Sequence, residues 1–133
     1  MLLVPTYLDM SKVHGIGVFA AEEIPARTVV WTYTPGIDVA LTAEQVKAQP
    51  PHIFAFLKRY AFTMKLMPDM YILCPDNGRF VNHSEAQNLD DDGQDQDVAR
   101  HHIKKGEELT ANYHENFGPE PVFDWKPGEP WRG

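Results

Sequence analysis

The apolar positions of this chain come in short runs separated by turn residues, the rhythm of a fold made mainly of short strands. LLVPTYL (2–8) and GVFAAEEI (17–24) predict strands on either side of a loop over 9–17. TVVWTY (28–33), β-branched and aromatic, predicts another. The period then changes. Thr42 and Gln45 stand at capping-box spacing, and Leu41 and Val46 are placed for a hydrophobic staple, so a helix is predicted to begin there. Pro50 and Pro51 interrupt it. Ile53, Phe56, Leu57, Tyr60 and Ala61 then recur at helical spacing. FTMKL (62–66) and MYILC (70–74) flank Met67-Pro68-Asp69, which predicts a hairpin turning at those three residues. RFVNHSEAQN (79–88) fits neither period. LDDDGQDQD (89–97) reads as a solvated acidic loop, VARHHI (98–103) as a strand, Lys104-Lys105-Gly106 as a turn and EELTAN (107–112) as a last strand. The tail from Gly118 is irregular, but too aromatic for a simple disordered end. Many short strands with one helical insert, over about 42–62, predict a mostly β domain of the α+β class.

Composition narrows the function classes. At 133 residues and 43% hydrophobic, the chain is expected to form one domain with a real core. No apolar run approaches the ~20 residues that cross a membrane. MLLVPTYLDM lacks the basic region and small-residue cleavage site of a signal peptide. Cys74 is the only cysteine, which excludes an internal disulfide and a cysteine-rich zinc site. It points to a reducing, intracellular setting, the cytoplasm first, with the nucleus and secretion left open. A net charge of −7 argues against nucleic acid, which needs a basic surface to displace counterions. It suits a basic partner such as a Lys-rich peptide, and it also keeps the chain soluble. The oligomeric state is left open, a dimer included.

Some residues carry candidate chemistry. Gly15 and Gly17 allow backbone to approach a ligand without Cβ obstruction, or form a tight turn between strands. Asn82 can donate and accept at once, as a zwitterionic ligand requires, or serve as an ordinary turn residue. His83 beside it reads equally well as a satisfied structural histidine. His101 and His102 point to opposite faces of a strand and cannot easily share an ion. His14, His52 and His114 are scattered, so no metal site is expected.

Three segments, in order, resemble the SET-domain family of protein-lysine methyltransferases. HGIGVFAAEEIPARTVV (14–30) is similar to the family's Gly-x-Gly loop and following strands. RFVNHS (79–84) matches its Arg-Phe-Ile-Asn-His-Ser signature with Val81 for Ile. IKKGEELTANY (103–113) matches its Ile-x-x-Gly-Glu-Glu-Leu-Thr strand with a terminal tyrosine. The resemblance implies a β-clip-like SET fold over 1–117 with a pseudo-knot that brings the Asn82 region to the Tyr113 region. It implies transfer of methyl groups from S-adenosylmethionine to a lysine side chain of a protein substrate, a histone or another basic protein. By resemblance His14, Gly15, Ile16 and Gly17 cradle the methionine part of the cofactor. Asn82 would bond its polar end, and the His83 backbone would meet the adenine edge. Tyr113 becomes the catalytic candidate, and Tyr33 a candidate wall of the lysine channel, although YTPG lacks the Glu that follows in the family.

The departures carry expectations too. Glu85, Trp125, Pro127 and Trp131 stand where the family places four zinc-binding cysteines. The tail 118–133 is therefore expected to be a zinc-free lid, with Trp125 or Trp131 stacking on adenine or packing on the domain. Gln87 replaces a proline, with little effect expected. Ala111 replaces a larger residue and suggests room for multiple methylation. Two rivals to the enzyme remain: a SET module that binds cofactor or peptide without turnover, and a related β-clip fold with another ligand.

Overall fold

Which residues of the first hairpin face inward sets the arrangement of everything behind it. In the computed structural model, which describes residues 1–119, β1 (Thr6–Met10) and β2 (Ile16–Ala20) pair antiparallel from Thr6↔Ala20 to Met10↔Ile16. Val18 and Ala20 point into the core, and the side chains of β1 stay largely in solvent, so β1 forms an edge. The chain continues through β3 (Val29–Trp31), β4 (Val39–Leu41), α1 (Ala43–Lys47), α2 (Pro51–Tyr60), β5 (Phe62–Met64) and β6 (Met67–Leu73). A 3-10 turn (Asn77–Phe80) leads to β7 (Asn82–His83), β8 (Leu89–Asp91), β9 (Asp97–Ala99), β10 (Glu108–Ala111) and α3 (Tyr113–Asn116). The larger sheet has the order β1-β2-β10-β8-β9-β3, with β7 parallel on β10; β4-β6-β5 form a second, three-stranded sheet.

Its main core is aliphatic: Val18, Ile24, Val30, Leu89, Ile103 and Leu109 pack together with almost no exposure. A second cluster joins Trp31, Met64, Ile72 and Cys74 between the sheets, and a third seats the helical insert through Val46, Leu57 and Ala61. The insert forms as its caps dictate. Gln45 N–H donates to the Thr42 hydroxyl and Thr42 N–H to the Gln45 side chain, while Leu41 packs on the cluster holding Val46. Pro51 occupies the first turn of α2, where a missing N–H costs nothing.

Three expectations shift. The β5–β6 hairpin turns at Lys65-Leu66, with Met64 opposite Met67, so Met67-Pro68-Asp69 belong to a strand. Asp95 explains this, because its carboxylate accepts from both Lys65 N–H (3.0 Å) and Leu66 N–H (2.7 Å). The acidic stretch 89–97 is also more than a loop: its ends are β8 and β9, paired from Leu89↔Ala99 to Asp91↔Asp97. The strand read over 98–103 stops at Ala99. Arg100 N–H turns aside to Asn88 O (2.9 Å), and only Ile103 rejoins, bridging Ile24.

β9 buries an acid. The Asp97 carboxyl accepts from Asn116 Nδ2 (2.9 Å), which holds its pKa down. Burial dominates, with repulsion from Asp91, Asp92 and Asp95, and pushes the pKa up to about 7. The folded state therefore holds this proton more tightly than the unfolded chain does. Its contribution to stability is present at low pH and is lost as pH rises through about 7. Asp97→Asn keeps an acceptor for Asn116 and removes the titration. Its gain in melting temperature over wild type should be larger at pH 8 than at pH 5. A gain that does not change with pH would show that Asp97 ionises freely in the fold.

Candidate active site

Asn82 and His83 fit neither sequence period because they form a strand of only two residues, paired with β10 alone. They run parallel to β10, Thr110↔Asn82 and Ala111↔His83, and Ser84 N–H extends the pairing to Ala111 O (3.0 Å). Immediately after β10, Asn112 caps α3, accepting from His114 N–H (3.1 Å). Tyr113 is thereby set beside β7. Its N–H donates to His83 Nδ1 (3.1 Å), and the two rings meet edge to face with centroids 5.1 Å apart. Because Nδ1 accepts, the His83 proton resides on Nε2. The Tyr113 hydroxyl donates to Val81 O (2.5 Å). The residue as a whole is 40% exposed, but its hydroxyl end turns inward, and burial raises its pKa above 10.0. At neutral pH it is a phenol, a donor in a fixed direction.

The glycine loop is bound to the same strand. Ser11 folds the loop by accepting from Val13 and His14 N–H, and Asn82 Nδ2 donates to His14 O (2.9 Å) and Ile16 O (3.2 Å). Both amide hydrogens of Asn82 thus hold the loop that it was expected to assist. The two glycines have different reasons. Gly15 adopts φ +51 and has nothing within 4 Å of where a Cβ would lie, so it is the residue open to a ligand. At Gly17 a Cβ would stand 2.2 Å from Glu108 Oε1. Gly17 is there to let Glu108 pack beneath the loop.

Two cavities meet at Tyr113. The first, about 370 Å³, lies between the glycine loop and β7, lined by His14, Gly15, Ile16 and Asn82. The second, about 380 Å³, is bounded by Phe62, Thr63, Phe117 and Gly118. Arg59, Tyr60, Arg79, Val81 and Tyr113 line both and form the wall between them. Both volumes lie in the ~300–1,000 Å³ range of small-molecule sites. No carboxylate of the described residues lines either one. Arg79 lies over the Phe80 ring (4.5 Å), donates from Nη1 to Pro75 O (3.0 Å), and has a buried Nε with no hydrogen-bond partner in the structure. An open left-handed glycine, the Arg79 guanidinium in the wall and a lining without acids among the described residues suit a ligand with an amino-acid carboxylate. S-adenosylmethionine is such a ligand, and these residues fit it.

His14, Gly15, Ile16, Asn82 and Tyr113 therefore come together at one cavity, and His83 touches Tyr113 but lines neither cavity. Tyr33 does not join them: it packs against the Trp31, Met64, Ile72 and Cys74 cluster and lines neither cavity. Trp125 and Trp131 lie outside the described residues. Ala111 is fully buried and lines neither cavity, so the space left by its small side chain does not open on the site. Gln87, expected to matter little, is 3% exposed and donates from Nε2 to Glu115 of α3 (2.8 Å). Among the described residues no cluster of three or more His, Cys, Asp or Glu side chains can hold a metal ion. Sequence reasoning missed Arg59, Arg79 and Glu108. The signal for Arg79 was its place in RFVNHS, directly before Phe80; a surface-like Arg59 and a repeated Glu carried none.

The two glycines should separate experimentally. Gly15→Ala forces a left-handed alanine, at a cost of about 1–2 kcal/mol, whatever stands nearby. Gly17→Ala should lose stability and binding of S-adenosylhomocysteine, and the added change Glu108→Ala should restore both. If the double variant melts and binds no better than Gly17→Ala alone, contact with Glu108 is not why Gly17 is glycine.

Comparison with known proteins agrees with this geometry. A search of curated proteins returns no match. The Chaetomium thermophilum polycomb repressive complex 2 shares the fold at 24% identity and a TM-score of 0.60, over 86% of this chain and 16% of that one. The same complex, autoinhibited and bound to S-adenosylmethionine, aligns at 23% identity and a TM-score of 0.59, covering 86% and 16%. A candidate histone methyltransferase of Plasmodium falciparum aligns at 19% identity and 0.55, covering 84% of this chain and 95% of that one. This chain thus spans about a sixth of the length of the polycomb chains it matches. At these identities the likeness speaks to the fold. The family model described as SET domain matches residues 15–114, three quarters of the sequence, and the chain belongs to the SET-domain family.

Proposed function

We propose that this protein transfers methyl groups from S-adenosylmethionine to the side-chain amine of a lysine in a protein substrate. The observation that supports the reading most strongly is the Tyr113 hydroxyl, fixed on Val81 O in the wall between a glycine-loop cavity and an apolar one. The bound cofactor supplies an electrophilic methyl on a sulfonium. Everything else falls to this chain. The glycine loop and Asn82 orient the methionine end, and Arg79 is assigned its carboxylate. Tyr60, Phe62, Val81 and Phe117 make an apolar path for a lysine side chain, which meets the methyl at Tyr113.

The lysine must lose its proton first. With a pKa near 10.4, roughly 1 in 1,000 is neutral around pH 7.4, a handicap of about 4 kcal/mol. An apolar path favours the neutral amine by desolvation. Holding the nitrogen in line with the methyl contributes up to ~7–11 kcal/mol. Tyr113 is not assigned the proton, because burial raises its pKa and keeps it a phenol. Its hydroxyl and the Val81 carbonyl are assigned alignment, partly through weak C–H···O contacts. Val81 O is already occupied by that hydroxyl, so oxygen and phenol act as one preset unit.

The tail is read as a zinc-free lid in which Trp125 or Trp131 meets adenine. In support, Gly118 N–H donates to Thr63 O (2.9 Å) and the Thr63 hydroxyl to Pro119 O, so the chain leaves the rim of the apolar cavity in a set direction.

Tyr113→Phe should keep the fold and most S-adenosylhomocysteine affinity while lowering turnover by orders of magnitude; unchanged turnover would remove the tyrosine from the mechanism. Asn82→Ala releases two loop carbonyls. At ~0.5–1.5 kcal/mol per hydrogen bond, cofactor affinity by calorimetry should fall about ten-fold or more, and equal affinity in a folded variant would sink that assignment. Removing 120–133 should weaken cofactor binding and turnover without unfolding the sheet, with no stoichiometric zinc in the full chain; full activity in the truncated protein would refute the lid. A protein that binds cofactor and methylates nothing in histones or lysate would be the binding module instead.

A further inference from the structure

The wall between the two cavities holds more positive charge than the cofactor can use. Arg59 and Arg79 both line it, and His114 lines the apolar side. S-adenosylmethionine carries a single carboxylate. Arg79 is the guanidinium assigned to it: half-buried, donating to Pro75 O and seated on Phe80, it lines the glycine-loop cavity. Arg59 differs. It stands on the last turn of α2, exposed, its guanidinium over the Tyr60 ring at 5.5 Å. Nearby acids are engaged elsewhere. Asp76 accepts from Gly78 and Leu2 N–H, and the Glu115 carboxylate accepts from Gln87. Neither lines the cavities.

We propose that Arg59 reads an acidic residue beside the target lysine, so that the preferred substrate is an acidic-flanked lysine segment rather than a basic tail. This rests on the methyltransferase reading and specifies its substrate class. The overall charge of −7 does not contradict it. Exposed charges farther than about 8–10 Å apart are largely screened at physiological salt, so the flanking residue is governed by the charges nearest the cavity, among which Arg59 is exposed. A lysine or arginine there would face Arg59 across an apolar rim that no acid among the described residues lines. An aspartate or glutamate would be paired.

The test treats denatured lysate with the full-length enzyme and S-adenosylmethionine, and maps methyl-lysine by mass spectrometry. Asp and Glu should be enriched within two or three residues of the modified lysines. Matched peptides with acidic and basic flanks should differ in kcat/KM by roughly five-fold, the upper range for an exposed ion pair. Arg59→Glu should reverse the order and Arg59→Ala should level it. S-adenosylhomocysteine affinity, by calorimetry, should drop in Arg79→Gln, and because Arg59 also lines the glycine-loop cavity the flank preference of each Arg59 variant is compared at saturating S-adenosylmethionine, where a change in cofactor binding acts equally on both peptides. Methylation without acidic bias, with basic bias, or with a flank preference that survives Arg59→Glu overturns the inference and leaves the methyltransferase reading standing. If S-adenosylhomocysteine binds but no methyl-lysine forms anywhere, both fall.

Discussion

Everything at this site depends on the parallel pairing of Asn82-His83 with the end of β10. The pairing places two side chains facing different tasks at one point of the sheet. Asn82 reaches across to the glycine loop and His83 reaches up to the backbone of Tyr113. A slip of one residue would exchange them, because successive side chains on a strand point to opposite faces. The loop carbonyls would then face an imidazole, and Tyr113 N–H an amide already turned away. Short as it is, β7 carries the register for both halves of the site. Phe80 and Val81, which pack on the main core directly before it, make that register costly to change.

This constraint explains what could be read from the sequence. The helical insert was legible because its determinants are local: a capping box, a staple and a proline at the first turn. The hairpin of β5 and β6 was legible as a hairpin but not in its turn, because Asp95, distant in sequence, selects Lys65-Leu66. β4 and α3 went unread for the same reason. Val39–Leu41 is too short to show a period and exists because β6 pairs with it, and four residues make no helical signal. At the site, RFVNHS and GEELTANY announced themselves only through family resemblance. No periodicity says that Asn82 should bond a loop 66 residues earlier. Gly17 was read as opening the loop to a ligand, and a Cβ there would also meet the Glu108 side chain, far along the chain, which no local pattern announces.

Charge is organised on two scales. The acidic surplus is spread over exposed loops, with a dense stretch at 90–97, and part of it is structural there. Asp91 pairs with Lys65 (2.8 Å), Asp95 shapes the hairpin turn, and Asp92 accepts from Gln94 and Gln96 N–H. The wall between the cavities has the opposite sign. A cofactor that brings a sulfonium and an ammonium with one carboxylate would be poorly matched by a uniformly basic pocket. In the wall the two guanidiniums instead stand beside Val81 and the rings of Tyr60 and Tyr113, so charge and apolar surface share one boundary.

The last constraint is on α3. A helix of four residues cannot hold itself, since nucleation alone is unfavourable. Tyr113 is nonetheless its first residue, so its position depends on side chains that grip the turn from outside. Asn116, 4% exposed, donates to Leu89 O (3.0 Å) and to Asp97 (2.9 Å) and accepts from Asn112 N–H. Gln87 holds the Glu115 carboxylate, and the Lys65 ammonium reaches Glu115 O. These contacts come from β8, β9, the turn before β8 and the β5–β6 hairpin, so four segments converge on one short turn. The buried acid Asp97 is destabilising where it is ionised, yet it supplies an acceptor that fixes Asn116. An apolar residue there would relieve the desolvation and free the turn. The polar network is therefore best understood as fixing the direction of the Tyr113 hydroxyl rather than as adding to global stability, in keeping with buried polar groups that specify one arrangement among several of similar energy.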